Sequence, residues 1–317
     1  MTSFEHIDIV IPSRGTPLGL WATVAACEVQ LEPQDINYKY TIVLNGEEKL
    51  DNDTQNMVLF LERSDKINEV VVQQSELSPP QARQLGFNKS SGKYVFFMDN
   101  HVIPCSGYFE RSIADFEHFN IDTLHSCYQY YLRDTVHYHY KLKLKHNFWG
   151  ESGPQPGDKV RPHRIAAGGH GGFMVKRTSW EAMGGYGPDG LFQGYAGEEM
   201  YADLKAWLLG YSVWIDPKIK HFHYAGKRPY ARHRSEGFFI NLMVCANVIG
   251  GVDWMNTVYE SFSNRSKWIM PLGNRDMYEL MIIAYERSAA HSAELATKRT
   301  KTLDELLDWF LTECIPC

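Results

Sequence analysis

The sequence contains little of what marks several common classes of protein. No stretch approaches the roughly 20 uninterrupted apolar residues of a membrane-spanning helix, and MTSFEHIDIV at the start lacks the basic and apolar blocks of a secretion signal. Six cysteines in 317 residues are too few and too scattered for a disulfide framework, so we expect reduced thiols and a cytoplasmic location. The net charge of -6 disfavours non-specific binding to a polyanion.

The sequence also lacks the glycine-rich loops of two nucleotide-binding classes. No G-x-G-x-x-G follows the first predicted strand, which disfavours a Rossmann-type oxidoreductase. IPSRGTPLG at 11–19 is a poor fit to the G-x-G-x-R loop that opens sugar-1-phosphate nucleotidyltransferases. The composition is otherwise ordinary, with 44% hydrophobic and 22% charged residues, and it is sufficient for a sizeable core.

Strand and helix patterns alternate through the first hundred residues. Compact apolar runs that predict strands lie at 6–15, 38–48, 68–74 and 93–98, and helical spacing lies at 18–28, 53–65 and 78–90. This alternation predicts an α/β fold with a mostly parallel sheet and helices on both faces. In such sheets, ligands bind at the carboxyl ends of the strands.

The remaining residues do not continue this regular alternation of strands and helices. The patterns predict a helix at 107–118, a strand at 128–134, a long loop at 151–172, a short strand and small helix within 171–190, a helix at 198–212 and a strand at 213–217. From residue 236 onward the chain reads as mainly helical.

The fourth predicted strand ends in two metal-capable side chains. VFFMDNH at 95–101 places Asp99 and His101 just beyond the apolar run, separated by one residue. A carboxylate and an imidazole at this spacing can share a cation, and the mixed set suits Mn²⁺ better than Mg²⁺, which prefers oxygen. The alternative is that Asp99 opens a turn or caps a helix and His101 is an ordinary loop histidine.

Taken with its neighbours, this motif resembles the GT-A glycosyltransferases, and the chain is similar to family-2-like glycosyltransferases. SPPQARQLG at 78–86 is similar to the helix containing A-R that precedes the D-x-D or D-x-H strand, and D-x-H is the form of the polypeptide N-acetylgalactosaminyltransferases. The stretch 166–211 resembles that family's Gly-Gly strand, glycine-rich turn and G-E-(N/D) helix. PKIKHFHYAGKRPY at 217–230 resembles its P-x(5)-H segment and basic loop.

The resemblance implies a GT-A (Rossmann-like) nucleotide-diphospho-sugar transferase fold with a helical C-terminal extension. It implies a nucleotide-sugar-binding half at 1–105, an acceptor-binding half with the donor loop at 106–235, and a helical region at 236–317. The implied activity is transfer of a hexosyl or N-acetylhexosaminyl group from a nucleotide-diphosphate donor, a UDP-sugar, to an acceptor hydroxyl. The implied cofactor is Mn²⁺ or Mg²⁺.

The resemblance also assigns roles to individual residues. The implied metal ligands are Asp99, His101 and His223, with His221 as the competitor for the third place. Glu198 and Glu199 open the 198–212 helix: in inverting GT-A enzymes the second acidic position is the general base, whereas in retaining enzymes the first holds substrate. The alternative is that both carboxylates only stabilise the helix dipole.

Donor contacts follow from the same resemblance. They are assigned to Pro12, Arg14, Asn45, Arg83, Asp99, Asn100, Gly168, Gly169, Lys227, Arg228 and Tyr230. The last three belong to a loop that, in the resembled enzymes, closes over the leaving diphosphate, and the alternative is a solvated basic loop. Many relatives carry acidic residues after the second strand that bind uracil or ribose. This chain has LNGEE at 44–48 instead, where Asn45 or Glu47 would make such contacts.

Basic residues interleaved with aromatics lie in the predicted acceptor half. Lys141, Lys143 and Lys145 alternate in HYHYKLKLKHNFW at 137–149, and Arg232 and Arg234 follow the donor loop. This pattern fits an anionic acceptor such as a hydroxymethylated base in DNA. The alternatives are a lysine-protected strand edge and acceptors among small glycans, lipid-linked sugars and protein hydroxyls. A silent carbohydrate- or DNA-binding module is the rival to an enzyme.

Overall fold

The computed structural model describes most of the chain. It covers residues 6–14, 17–34, 36–46, 52–63, 65–73, 75–129, 140–142, 150–152, 161–169, 171–194, 196–223, 236–263 and 276–309. The strands are β1 (Ile7–Ser13), β2 (Tyr38–Asn45), β3 (Ile67–Gln73), β4 (Tyr94–Met98), β5 (Val102–Pro104), β6 (Thr123–Gln129), β7 (Tyr140–Leu142), β8 (Gly150–Ser152), β9 (His163–Arg164), β10 (Gly172–Lys176) and β11 (Val213–His223). The helices are α1 (Pro17–Leu31), α2 (Asn52–Glu62), α3 (Pro79–Lys89), α4 (Tyr108–Phe119), α5 (Arg177–Met183), α6 (Glu198–Leu208), α7 (Glu236–Ser263), α8 (Met277–Lys298) and α9 (Leu303–Trp309).

A mixed, mostly parallel sheet organises the described residues. Its strand order is β3-β2-β1-β4-β10-β6-β11-β5, and β9 pairs with β11 outside this path. The pairs β1–β2, β2–β3, β1–β4 and β6–β11 are parallel, whereas β10 runs antiparallel to both β4 and β6. The predicted α/β fold with a mostly parallel sheet is therefore confirmed.

Both faces of the central strands are buried, which explains their continuous apolar runs. On one face Val95 and Phe97 pack in a cluster with α3 and the helices from α5 to α9. On the other face Phe96 and Met98 pack in a cluster with α1, α2 and α4. Because side chains alternate across a strand, a strand covered on both faces needs apolar residues at every position.

Two strand predictions need correction. The strand predicted at 128–134 begins earlier, at Thr123, because the polar residues of TLHSCYQ obscure the strand pattern; it is described as far as Gln129, and residues 130–134 lie outside the described part of the chain. The strand predicted at 213–217 continues to His223 because the sheet tolerates Pro217 at an irregularity, with a register shift between Asp216 and Lys220. This extension carries His221 and His223 to the end of the sheet.

Helix α7 is long and apolar. The segment Glu236–Ser261 has the length and hydropathy of a membrane span, and 67% of its most apolar window is buried inside the protein. The core helix of a soluble protein has the same properties, so this segment is weak evidence for a membrane. The helix is kinked at Gly251, whose φ of 76° favours glycine.

Candidate active site

Three potential metal ligands meet at one edge of the sheet. Asp99, His101 and His223 each offer a ligand atom, and these atoms lie within 4.8 Å of one another. The Asp99 Oδ2 and His223 Nε2 atoms are 3.6 Å apart, and the imidazoles of His101 and His223 are stacked with ring centroids 4.6 Å apart. One carboxylate and two imidazoles, all partly exposed, form a donor set that fits Mn²⁺.

Strand pairing brings these distant residues together. Asp99 lies immediately after β4, where its backbone N–H donates to the Gly171 carbonyl at 3.0 Å. The chain then turns into β5, which pairs antiparallel with the end of β11 so that His223 lies opposite Val102. His223 is thereby placed one residue from His101 across the ladder, although 122 positions separate them in the sequence.

A buried arginine keeps the Asp99 carboxylate ionised. Arg83 on α3 is 4% exposed and donates through Nη2 to Asp99 Oδ1 at 2.8 Å. Burial alone would raise the pKa of Asp99, but the charge of Arg83, with the neighbouring imidazoles, holds that pKa well below its usual range. Oδ2 of the same carboxylate faces His223, so the two oxygens have different partners.

Asn100 fixes the orientation of His101. Its Nδ2 donates to Ser13 Oγ at 2.8 Å, which leaves Oδ1 facing His101 Nδ1 at 2.9 Å. A proton on Nδ1 satisfies this contact and leaves the lone pair of Nε2 for a cation. The predicted donor residue Asn100 thus lies between β1 and the metal ligands.

His221 belongs to a buried hydrogen-bond network beside the three potential metal ligands. It is 2% exposed, and its Nδ1 lies 2.9 Å from Ser126 Oγ, which donates to the Gly172 carbonyl at 2.6 Å. Burial, with a smaller effect of His223, lowers the pKa of His221 to about 3, so the ring is neutral. The geometry therefore selects His223 over His221 as the third member of the cluster.

Gly171 and Gly172 pack against His223 and His221, and neither glycine was predicted from the sequence as a site residue. A Cβ on Gly171 would lie 3.4 Å from the His223 ring, and a Cβ on Gly172 would lie 3.2 Å from His221. The predicted glycines Gly168 and Gly169 lie earlier in the same segment, against His125. A signal for the later pair was the G-G doublet directly before the strand FMVK.

The two predicted catalytic carboxylates have different environments. Glu198, at the first position of α6, is fully buried, with Oε1 4.0 Å from Nη1 of Arg83. Burial and the adjacent Glu199 raise the pKa of Glu198 to about 8. Glu199 is partly exposed. Of the two glutamates, Glu199 is the more exposed, while Glu198 is enclosed beside Arg83.

Three predicted donor residues lie near the ends of β1 and β2. Pro12 is partly exposed in β1, and Arg14 forms an ion pair with Glu76, to which both Nη1 and Nη2 donate. The Asn45 amide is engaged with the backbone, because Nδ2 donates to the Leu77 carbonyl and Oδ1 accepts from the Leu77 N–H, both at 2.8 Å. Asn45 therefore connects the 75–78 segment to β2 through these two hydrogen bonds, and its amide is not directed at a nucleotide base.

Several predicted residues lie outside the described part of the chain. They are Glu47, Lys143, Lys145, Lys227, Arg228, Tyr230, Arg232 and Arg234, together with the side chain of Lys141. Their assignments to the donor loop and to an anionic acceptor stay predictions.

The fold and the cluster at the carboxyl edge of the parallel strands define a nucleotide-diphospho-sugar transferase of the GT-A type. The family model described as glycosyl transferase family 2 matches residues 8–184, more than half of the chain. The chain belongs to glycosyl transferase family 2. Helix α6 and His223 lie beyond the matched residues. None of the curated proteins compared with the sequence matches it.

Solved structures agree with this fold. The chain is similar to GalNAc-T7, solved with UDP, GalNAc and Mn²⁺, at 16% identity and a TM-score of 0.69, covering 100% of this chain and 59% of that one. It is similar to residues 1–349 of S. aureus TarS with UDP-GlcNAc, at 11% identity and a TM-score of 0.59, covering 98% and 88%. It is also similar to the mannosyltransferase PcManGT from Pyrobaculum calidifontis with GDP-Man and Mn²⁺, at 11% identity and a TM-score of 0.52, covering 94% and 86%. The chain therefore spans less than two thirds of GalNAc-T7.

Proposed function

We propose that this family 2 glycosyltransferase moves a hexosyl or N-acetylhexosaminyl group from a UDP-sugar to an acceptor hydroxyl, using Mn²⁺ held by Asp99, His101 and His223. The observation that carries the proposal is the cluster of one carboxylate and two imidazoles at the carboxyl edge of the sheet. The UDP in GalNAc-T7 and the UDP-GlcNAc in TarS support uridine as the base. PcManGT, solved with GDP-Man, makes guanosine the competing base.

The chain contributes a prepared set of ligands. When bound, the divalent cation supplies positive charge that offsets the charge developing on the departing diphosphate. Arg83 keeps Asp99 ionised, and Asn100 directs the free lone pair of His101 toward the cluster. Gly171 lets the backbone lie close to His223, since even a Cβ there would already be in van der Waals contact with the ring.

Glu199 is the proposed general base. It opens α6 and is partly exposed, so its carboxylate is able to accept the proton of an acceptor hydroxyl as the sugar is transferred. Glu198 supports Arg83 from the buried side. This assignment corresponds to an inverting reaction, in which the acceptor attacks the sugar from the face opposite the leaving diphosphate.

The test measures nucleotide binding by calorimetry. UDP and GDP are titrated into the protein with Mn²⁺, and again after EDTA treatment, for the wild type and for His101→Ala and His223→Ala. We expect UDP binding to need Mn²⁺ and to weaken about 10- to 100-fold in each variant, the usual cost of disturbing a metal site. The Mn²⁺-dependent rise in melting temperature should shrink in parallel.

His118→Ala serves as the matched control. His118 is an exposed histidine on α4 that contacts Phe119, away from the cluster, so its removal should leave UDP binding unchanged. Equal UDP binding with and without metal would contradict the metal assignment. Metal-dependent binding of GDP but not UDP would retain the metal site and overturn the uridine assignment.

The acceptor is sought once a donor binds. UDP release from UDP-glucose, UDP-GlcNAc and UDP-GalNAc is measured with simple glycans and with DNA containing hydroxymethylated bases, the acceptor class that the basic residues at 141–145 and 232–234 predict. Faster UDP release with hydroxymethylated DNA than with unmodified DNA would support the anionic acceptor.

A further inference from the structure

A buried histidine–aspartate pair lies behind the glycine segment of the site. His125 on β6 and Asp203 on α6 are 0% and 1% exposed. His125 Nε2 lies 3.0 Å from Asp203 Oδ2 and 3.2 Å from Oδ1. An ionisable pair at this depth needs partners for its polar atoms, because an unmet buried carboxylate is strongly destabilising.

Those partners are the backbone groups of two glycines. Asp203 Oδ2 accepts from the Gly168 N–H at 2.8 Å, and His125 Nδ1 lies 3.3 Å from the Gly169 carbonyl. The His125 imidazole lies directly against the Gly168 backbone, because a Cβ on Gly168 would be 2.5 Å from Cγ of His125. The His125 ring is also stacked with the ring of Phe173, with 5.7 Å between centroids. The pair therefore sets the position of this stretch of backbone.

The same segment reaches the metal ligands within three residues. Gly171 accepts from the Asp99 N–H through its carbonyl and packs against the His223 ring. On the other side, Asp203 follows Glu199 by four residues and so lies on the same face of α6. One buried pair thus connects the helix that carries the proposed base to the backbone beside two metal ligands.

We propose that His125 and Asp203 are positioning residues, which hold the Gly168–Gly169 backbone and the first turn of α6 in fixed register with Asp99 and His223. This inference rests on the proposed function. Neither side chain touches the donor, and the pair acts through the glycine backbone and through α6. Misplacement of that backbone should therefore lower turnover more than nucleotide binding, since Asp99 and His223, on which nucleotide binding depends, are also held by Arg83 and by the pairing of β11 with β5.

The test compares Asp203→Asn with Asp8→Asn. Asp8 is a matched control: it is 0% exposed, lies 3.3 Å from His6 Nε2 and accepts from the backbone N–H groups of Ser91 and Gly92, at the amino end of β1. Both variants should lose stability. Only Asp203→Asn should slow UDP release from the UDP-sugar, by about 10- to 100-fold, with the dissociation constant for UDP changed by less than about twofold.

The outcomes separate this role from the proposed function. A wild type that neither binds UDP with Mn²⁺ nor releases it from UDP-sugars overturns the proposed function and the positioning role together. An active wild type with equal turnover in both variants, measured below their melting temperatures, overturns the positioning role alone. If Asp203→Asn does not fold, His125→Gln is judged by the same criteria, because its amide keeps a donor toward Asp203.

Discussion

At the residue scale, burial distinguishes neighbouring side chains of the same type. His221 and His223 lie on one face of β11. His221 is 2% exposed and forms a hydrogen bond with Ser126, whereas His223 lies with Asp99 and His101 in the group of potential metal ligands. Glu198 and Glu199 are adjacent, but Glu198 is fully buried behind Arg83. The roles proposed for His223 and Glu199, which require contact with a cation or a substrate, are therefore assigned to the more exposed member of each pair.

The two glutamates lead to opposite predictions. Glu199→Gln should lower the rate of UDP release by about 100-fold or more, the usual contribution of a general base, with UDP affinity unchanged. Glu198→Gln should keep turnover within a few-fold of the wild type and change mainly the melting temperature, since its carboxylate is enclosed. Steady-state kinetics and calorimetry on both variants make the comparison. A large loss of turnover in Glu198→Gln alone would reverse the assignment.

At the element scale, helix α3 serves the core and the site at once. Gly86 allows the helix to approach β1 closely, because a Cβ there would lie 2.4 Å from Val10 Cγ1. Three residues earlier, Arg83 reaches Asp99 from the same helix. Ser78, which caps the helix, donates to the Phe192 carbonyl at 3.0 Å. The close packing of α3 on the sheet thus fixes the distance from Arg83 to the metal ligands.

The contact between α4 and β11 predicts a pH dependence of stability. Asp115 on α4 lies next to Asp216 of β11, and burial, followed by the effect of this second carboxyl group, raises the pKa of Asp115 from 3.8 to about 7. Between pH 3.8 and about pH 7 the Asp115 carboxyl group is protonated in the folded state but ionised in the unfolded state. This difference makes the free energy of unfolding largest below about pH 4 and lowers it as the pH rises through 7. The Asp115→Asn variant has no carboxyl group to ionise at this position. Its free energy of unfolding, relative to that of the wild type, should therefore increase from pH 5 to pH 8.

Urea denaturation at the two pH values measures this difference. Glu110→Gln is the control, because Glu110 is exposed on the same helix and its substitution should shift stability equally at both pH values. A stability difference for Asp115→Asn that stays constant between pH 5 and pH 8 would contradict the raised pKa of Asp115. Arg111, whose Nη1 lies 3.9 Å from Asp216 Oδ2, is left in place throughout.

At the scale of the whole molecule, the C-terminal helices belong to the same core as the sheet. Leu242 and Val244 of α7 are buried in one cluster with Val95 and Phe97 of β4. The side chain of Asn241 on α7 also forms two hydrogen bonds with the backbone of Gln193. Its Oδ1 accepts from the Gln193 N–H at 3.1 Å, and its Nδ2 donates to the Gln193 carbonyl at 3.0 Å. The α7 helix thus supports the loop that leads into α6 and the proposed base.

Removal of these helices should abolish folding. A chain ending at residue 235 would expose the core face that α7 and α8 cover, and each large aliphatic side chain buried there contributes about 1.5–3 kcal/mol. The loss of several such contacts approaches the total stability of a typical domain, about 5–15 kcal/mol. Circular dichroism and gel filtration should show an unfolded or aggregated chain. The matched control ends at residue 309 and should remain folded.

A soluble, folded chain ending at residue 235 would show instead that the predicted region 236–317 is an independent unit. The 309-residue control separates this effect from the removal of the last eight residues, which lie outside the described part of the chain.

Much of the fold was predictable because hydrophobic patterns report local structure directly. The strand ending at Met98 and the helix around Arg83 were predicted to within a few residues. The start of β6 at Thr123 was missed because its polar residues, such as His125 and Ser126, find their partners only in distant segments. The extension of β11 past Pro217 was missed because a register shift in the sheet absorbs the proline.

The sequence by itself determined the alternation of strands and helices, the Asp99–His101 motif at a strand end, and the family resemblance, since all three depend on residues close together in the chain. The tertiary structure placed His223, which the resemblance had implied, beside this motif. It alone decided that Glu198 is enclosed and that His125 and Asp203 support the glycine segment. Each of these depends on contacts between residues far apart in sequence. Strand pairing and burial create those contacts, and no local pattern encodes them.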